Sequence, residues 1–88
     1  MPILLLTVRD VCNIEGRGVL VVGDWHEDEW PDGQAIASVG DEIELRLPSG
    51  RSLASKIEAI TTPQRDILLS PHIPLADVER DTEIWTTR

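Results

Sequence analysis

Residues 7–23 read TVRDVCNIEGRGVLVVG, and this stretch decides the fold. Apolar, β-branched side chains occupy both halves of it, and Gly16-Arg17-Gly18 separates the halves. Because glycine adopts backbone angles that other residues avoid, a Gly-X-Gly element between two strand-like runs predicts a tight reversal or a bulge. The sequence therefore predicts two strands joined by a turn that presents Arg17.

The neighbouring sequence favours strands as well. Residues 3–14 form a long apolar, β-branched run, and residues 18–23 are apolar on both faces, as in a strand buried on both sides. Residues 42–47 alternate charged and apolar side chains, and Pro48-Ser49-Gly50 supplies a turn before residues 51–60 return. This second pattern predicts a hairpin in the middle of the chain.

The C-terminal third has weaker patterns. Residues 67–70 and 83–87 are predicted to be short strands, and residues 75–79 one helical turn. No stretch keeps a helical period over eleven or more residues. Several short strands at near-regular spacing predict one all-β domain over residues 1–88, either a closed barrel or a sandwich.

The chain is acidic, because 16 Asp and Glu face 8 Lys and Arg, for a formal net charge of -8 at pH 7. Such a charge repels phosphate backbones within one Debye length, about 8–10 Å at physiological salt. It favours solubility and a basic protein partner over direct binding of nucleic acid.

The cysteine content and the N-terminus both indicate a cytoplasmic protein. The single cysteine, Cys12, excludes an internal disulfide framework, and its apolar neighbours predict a small buried side chain instead of a nucleophile. The apolar run before Thr7 is too short for a signal peptide or a membrane span. We therefore expect no membrane association.

Residues 24–33, DWHEDEWPDG, combine five acids with two tryptophans, a histidine and a proline. Because so many charges are costly to bury, a surface excursion is predicted here. Trp25 and Trp30 in acidic surroundings suit contact with Lys or Arg side chains of a partner. Alternatively, one or both indoles fold back to cover an end of the sheet while their N–H groups stay hydrated.

The same segment raises a metal hypothesis. Asp24, His26 and Asp28 would share a face if the backbone were extended. However, no second histidine or any cysteine lies nearby in the sequence, and structural metal sites have defined ligand sets. A solvated charged loop is the preferred interpretation, and we expect no metal and no cofactor.

Four blocks of the chain together carry a family resemblance. They are LTVRDVCNIEGRGVLVVG (6–23), VGDEIE (39–44), SKIE (55–58) and IPLADVERDTEIWT (73–86). In this order they resemble domain II of translational GTPases of the elongation factor Tu class, the translation-protein β-barrel. The resemblance implies a small closed antiparallel barrel, with turns at Gly16 and Gly18 and at Gly40 and Asp41.

Departures from the family pattern limit what the resemblance implies about activity. No G-x-x-x-x-G-K-[ST] loop occurs, so no GTP hydrolysis is expected, and the chain looks like a stand-alone barrel without the GTPase domain. Arg9, Cys12 and Val22 match family positions that hold Glu, Phe and Thr near the aminoacyl end of tRNA, and Asp81 matches a family glycine. Binding of aminoacyl-tRNA is therefore not expected.

The family's barrel also contacts ribosomal RNA near the Gly-Arg-Gly turn, and Arg17 could retain such a contact because a guanidinium pairs with phosphate. The alternative is that Arg17 is simply exposed or pairs with Glu15 or Asp10.

No catalytic constellation is recognisable, since no G-x-S-x-G elbow or placed acid–base pair occurs. The sequence therefore favours a non-catalytic binding module for a protein or ribonucleoprotein partner. Its candidate contact residues are Arg17, Trp25, His26, Asp28 and Trp30. An alternative is an acidic, antitoxin-like inhibitor that masks a basic, nucleic-acid-binding partner. A metal-dependent enzyme built on the acidic segment is the third interpretation.

Overall fold

In the computed structural model, which describes residues 2–30 and 37–87, seven strands form one antiparallel sheet. No α-helix occurs in these two ranges, and single-turn 3-10 helices lie at Glu27–Glu29 and Leu75–Asp77. The predicted all-β fold and the helical turn after residue 74 are confirmed. The strands are β1 (Leu4–Ile14), β2 (Gly18–Trp25), β3 (Glu42–Arg46), β4 (Ser52–Lys56), β5 (Ala59–Ile60), β6 (Ile67–Leu68) and β7 (Glu83–Thr86).

The N-terminal hairpin has the predicted form. β1 pairs with β2 from Leu6 opposite Trp25 to Ile14 opposite Gly18, and the Arg17 N–H donates to the Ile14 carbonyl at 2.9 Å to close the turn. Gly18 has a φ of +131°, and a Cβ there would lie 3.2 Å from the carbonyl oxygen of Leu69. A side chain at this position would therefore strain the backbone and crowd the segment after β6.

The prediction that residues 18–23 are buried on both faces is wrong. Val19 and Val21 are buried, whereas Val22 is 38% exposed. Only one face of β2 packs on the core, so the continuous apolar run covers one buried and one partly open surface.

The second hairpin is confirmed as β3 and β4, in register from Glu42 opposite Lys56 to Arg46 opposite Ser52. The single return strand predicted over residues 51–60 is wrong, because it divides into β4 and β5. Where the strand divides, the backbone N–H of Ile57 still donates to the carbonyl of Asp41, just before β3. The backbone N–H of the next residue, Glu58, donates to the carbonyl of Leu68 in β6. The chain thus leaves one pairing partner and joins another within two residues.

The strand order is β4-β3-β7-β1-β2-β6-β5, so β4 and β5 are the two ends of the ladder. Backbone pairing among the described residues therefore establishes a sheet and leaves the predicted closed barrel unconfirmed. The strands predicted at 67–70 and 83–87 are shorter than expected, at Ile67–Leu68 and Glu83–Thr86. Fully buried core side chains include Leu5, Leu6, Val8, Val21, Ile43, Leu45, Ile57, Ile67, Leu69 and Ile84.

Candidate functional site

The two tryptophans of the acidic segment pack against each other beside the core. Asp24 and Trp25 still belong to β2, so the segment leaves the sheet at His26. The Trp25 and Trp30 ring centroids are 5.9 Å apart at an interplanar angle of 78°, an edge-to-face arrangement. Trp30 is only 7% exposed, and its indole N–H donates to the Leu4 carbonyl at 3.1 Å. Residues 31–33 of the predicted segment lie outside the described residues.

Trp25 is half-buried, and its ring contacts an arginine of the same chain. The Arg65 Cζ lies 5.0 Å from the centroid of the Trp25 ring, and the Trp25 indole N–H donates to the Arg65 carbonyl at 3.0 Å. The Arg65 guanidinium also pairs with the Glu27 carboxylate. The Trp25 ring, predicted from the sequence to contact a partner's cation, and the Glu27 carboxylate are thus both in contact with Arg65 of the same chain.

His26 and Asp28 do not join this contact. The His26 Nε2 lies 2.7 Å from the Thr7 hydroxyl, and the backbone N–H of His26 donates to the Leu5 carbonyl. Both contacts connect the segment to β1. Asp28 is exposed. Among residues 2–30 and 37–87, no three His, Cys, Asp or Glu side chains gather in a way that could hold a metal ion.

Asp24 is held by a separate ionic cluster. Arg9 donates from Nε to Asp24 at 2.7 Å and from Nη1 to Asp81 at 2.8 Å, and Arg80 donates to the Arg9 carbonyl at 2.9 Å. The hydrogen bond to Asp24, followed by the charge of Asp24, raises the pKa of Arg9. The cluster joins β1, β2 and the turn before β7.

Arg17 lies exposed at the tip of the N-terminal hairpin. It makes no ion pair with any residue in the described parts of the chain, so the suggested pairs with Glu15 and Asp10 are not formed there. At the other predicted turn, the Gly40 N–H donates to Ile57, and Asp41 accepts the Ser38 N–H at 2.9 Å. These bonds direct the chain into β3.

Cys12 is exposed, so its predicted burial is wrong. The β1–β2 register places Cys12 opposite Leu20, and Leu20 lies opposite Leu68 on β6. Because cross-strand partners share a face, these side chains form one row, which runs from the exposed Cys12 to the buried Leu68. In the adjacent row, Val21 lies opposite Ile67, and both side chains are fully buried in the core.

A second polar cluster lines an open cavity of about 500 Å³ beside β4. Ser70 accepts the Lys56 N–H at 2.9 Å, Ser55 accepts the Ser70 N–H at 3.0 Å, and the His72 ring bonds the Ala54 carbonyl at 3.1 Å. The hydroxyl and imidazole groups therefore bind backbone atoms, and no Ser–His hydrogen bond occurs in the described residues.

Sequence reasoning missed Arg65 as part of the site. Glu27 belongs to the recognised acidic segment, but Arg65 lies 40 residues beyond Trp25, in the turn between β5 and β6. No local pattern distinguishes it from the other arginines, since only strand pairing brings that turn to the end of β2. The partner-binding roles of Arg17, Trp25, His26, Asp28 and Trp30 stay predictions.

Comparisons of the chain with protein-family models, curated proteins and solved structures found no match. Within residues 2–30 and 37–87, no helix has the length and apolar character needed to cross a membrane.

Proposed function

We propose that this chain is a non-catalytic, cytoplasmic binding module of the translation-protein β-barrel type, which engages a protein or ribonucleoprotein partner. The surface that we assign to the partner is formed by Trp25, Glu27 and Asp28. The fold and the partner class rest on different observations.

Serine side chains support closure of the sheet into a barrel. One end of the ladder, β4, meets the segment after β6, and the hydroxyls of Ser55 and Ser70 bridge them by accepting backbone N–H groups. The backbone bond from Glu58 to Leu68 continues the same seam. Hydroxyl groups thus stand in for ladder bonds at a position where two edges would otherwise be open.

One backbone angle supports the resemblance to translation-factor domain II. Asp81 stands where the family pattern has glycine, and it adopts a φ of +68°. That angle lies in the left-handed region that glycine favours. A glycine, as in the family pattern, would therefore suit this turn.

The observation that carries the proposed binding role is the contact between Trp25, Glu27 and the Arg65 guanidinium. The arrangement combines an aromatic face with a carboxylate, which is suited to bind a cationic side chain. In a chain of net charge -8, a basic partner would also be attracted over a longer range.

Affinity capture with matched tryptophan variants tests this role. Immobilised wild type, Trp25→Phe and Trp85→Phe are incubated with cell extract, with and without ribonuclease. Trp85 is a matched control, because it also lies under an arginine, with the Arg46 Cζ 4.3 Å from its ring centroid. We expect Trp25→Phe alone to lose the partner, and ribonuclease to distinguish a protein from a ribonucleoprotein.

Equal capture by all three proteins would contradict the proposed role of Trp25. The acidic-inhibitor alternative draws on exposed carboxylates at Asp10, Glu15, Glu42 and Glu58, which enter none of the ion pairs of the described residues. It predicts capture that survives Trp25→Phe and falls steeply as salt is raised.

A further inference from the structure

Arg65 makes two kinds of contact with the site, and they are separable. Its backbone carbonyl accepts the Trp25 indole N–H, whereas its guanidinium lies over the Trp25 ring and pairs with Glu27. The first contact fixes the turn between β5 and β6, and the second fills the space between ring and carboxylate. We call that space, bounded by the Trp25 ring and the Glu27 carboxylate, the Trp25 notch.

The turn is held without the guanidinium. The Thr61 N–H donates to the Asp66 carbonyl at 2.9 Å, and the Asp66 N–H donates to the Thr61 hydroxyl at 3.0 Å. Together with the indole–carbonyl bond, these contacts fix the backbone on both sides of Arg65. The guanidinium can therefore leave the notch while the turn and the sheet stay in place.

The notch is open to solvent. The side chains of Arg65 and Glu27 are 46% and 45% exposed, so an incoming group can reach the carboxylate without unfolding the segment. An exposed cation–π contact and an exposed ion pair each contribute little stability, and the occupied arrangement is correspondingly easy to exchange.

Arg46, the other arginine of the described residues that lies over a tryptophan, is held by paired strands and not by a turn. Arg46 lies over Trp85 and pairs with Glu44, but all three residues belong to the paired strands β3 and β7. That contact is ordinary cross-strand packing, and its backbone is fixed by the ladder. Arg65 reaches its tryptophan from a turn, across 40 residues of sequence.

We propose that the Trp25 notch is a recognition site for an arginine side chain of a basic partner, and that Arg65 occupies the notch until the partner's arginine displaces it. This inference rests on the proposed binding function and names the chemistry of its partner. Arginine fits better than lysine, because a planar guanidinium stacks on the indole while its N–H groups pair with the carboxylate.

While Arg65 occupies the notch, an external arginine cannot bind there. The apparent affinity for an external arginine is therefore the intrinsic affinity multiplied by the fraction of molecules in which the notch is open. If Arg65 fills the notch for about 70–90% of the time, its removal tightens binding of an external arginine by about three- to ten-fold. Loss of the Glu27 charge weakens the binding of an external arginine.

The test uses the full chain and two capped peptides, one alternating arginine with glycine and one alternating lysine with glycine. Arg65→Gly removes the side chain and suits the backbone, since Arg65 has a φ of +59°. Arg46→Ala is the matched control, and Glu27→Gln removes the carboxylate charge. Titration calorimetry measures the affinity, and the indole N–H resonance of Trp25 in nuclear magnetic resonance spectra reports where the peptide binds.

We expect Arg65→Gly to bind the arginine peptide about three- to ten-fold more tightly than wild type does, with the Trp25 resonance shifting on binding. Arg46→Ala should bind as wild type, Glu27→Gln more weakly, and the lysine peptide more weakly than the arginine peptide. Unchanged or weaker binding by a folded Arg65→Gly overturns the inference. If Trp25→Phe loses its natural partner while Arg65→Gly gains nothing, only the displacement by arginine fails and the proposed function stands.

Discussion

Gly23 on β2 lies directly against the backbone of β1. A Cβ at Gly23 would be 2.0 Å from the Thr7 carbonyl oxygen, closer than any real contact. Gly16, at the tip of the hairpin, has open space around it but a φ of +78°. At the scale of single residues, one glycine is therefore required by packing and the other by backbone conformation.

Gly23→Ala should destabilise the domain more than Gly16→Ala. We expect a loss of about 3 kcal/mol for the first, because two backbones must separate, and about 1–2 kcal/mol for the second, because only the left-handed conformation is penalised. Denaturant unfolding of both variants measures the difference. A larger loss for Gly16→Ala would contradict the close packing of β1 on β2.

Thr82→Val should stabilise the domain. Thr82 is fully buried, and its hydroxyl has no hydrogen-bond partner among the described residues. Valine has nearly the same shape without the unsatisfied group, so we expect a gain of about 1 kcal/mol in the free energy of unfolding. Thr7→Val is the control, because the Thr7 hydroxyl contacts His26 and its loss should not stabilise.

At the scale of elements, the seam between β4 and the segment after β6 is the distinctive feature. The six strand pairings of the described residues use backbone ladders, two of which contain a register shift, whereas this junction depends on the buried hydroxyls of Ser55 and Ser70. The seam also explains why β4 and β5 are separate strands, since the chain must bend there to change partners.

Ser55→Ala and Ser70→Ala should each lower the free energy of unfolding by about 1–3 kcal/mol. Each change leaves a backbone N–H of the seam without its acceptor. Ser52→Ala on the same strand is exposed and should change stability by less than about 0.5 kcal/mol. Equal, small effects of all three changes, measured by thermal and denaturant unfolding, would contradict a structural seam.

At the scale of the whole molecule, the excess of carboxylates is expected to cause charge repulsion that opposes folding. The formal net charge is -8, and the ion pairs of the described residues involve partly or largely exposed side chains. Exposed pairs contribute about 0–1 kcal/mol each, so they offset little of the repulsion between the remaining carboxylates.

Added salt should therefore stabilise the domain. Raising sodium chloride from low ionic strength to about 0.3 M shortens the Debye length and screens the like charges. We expect the unfolding midpoint to rise and to rise equally with potassium chloride, as screening requires. A midpoint that falls with salt would mean that the ion pairs outweigh the repulsion.

Local patterns accounted for much of the fold. The Gly-Arg-Gly turn, the alternating residues 42–47 and the helical turn after Pro74 were predicted because each depends on neighbouring residues alone. The burial of Cys12 and of both faces of β2 was predicted incorrectly, because an apolar run does not reveal which side of a sheet is covered.

The candidate site was predictable only in part. The acidic segment identified Trp25 and Trp30, in acidic surroundings, as a place where a cation could bind, and that much is a property of composition. The sequence of this segment does not identify Arg65, and it does not show whether the two indoles are exposed or covered. Both depend on which turn the strand order brings to the end of β2.

The sequence by itself determined the all-β class, the N-terminal and central hairpins and the acidic character of this protein, because side-chain alternation, glycine conformation and charge are local or additive properties. Only the tertiary structure decided which edges meet at Ser55 and Ser70 and which guanidinium lies on Trp25. Those contacts join residues far apart in the chain, and they form only when long-range pairing closes the distance between them.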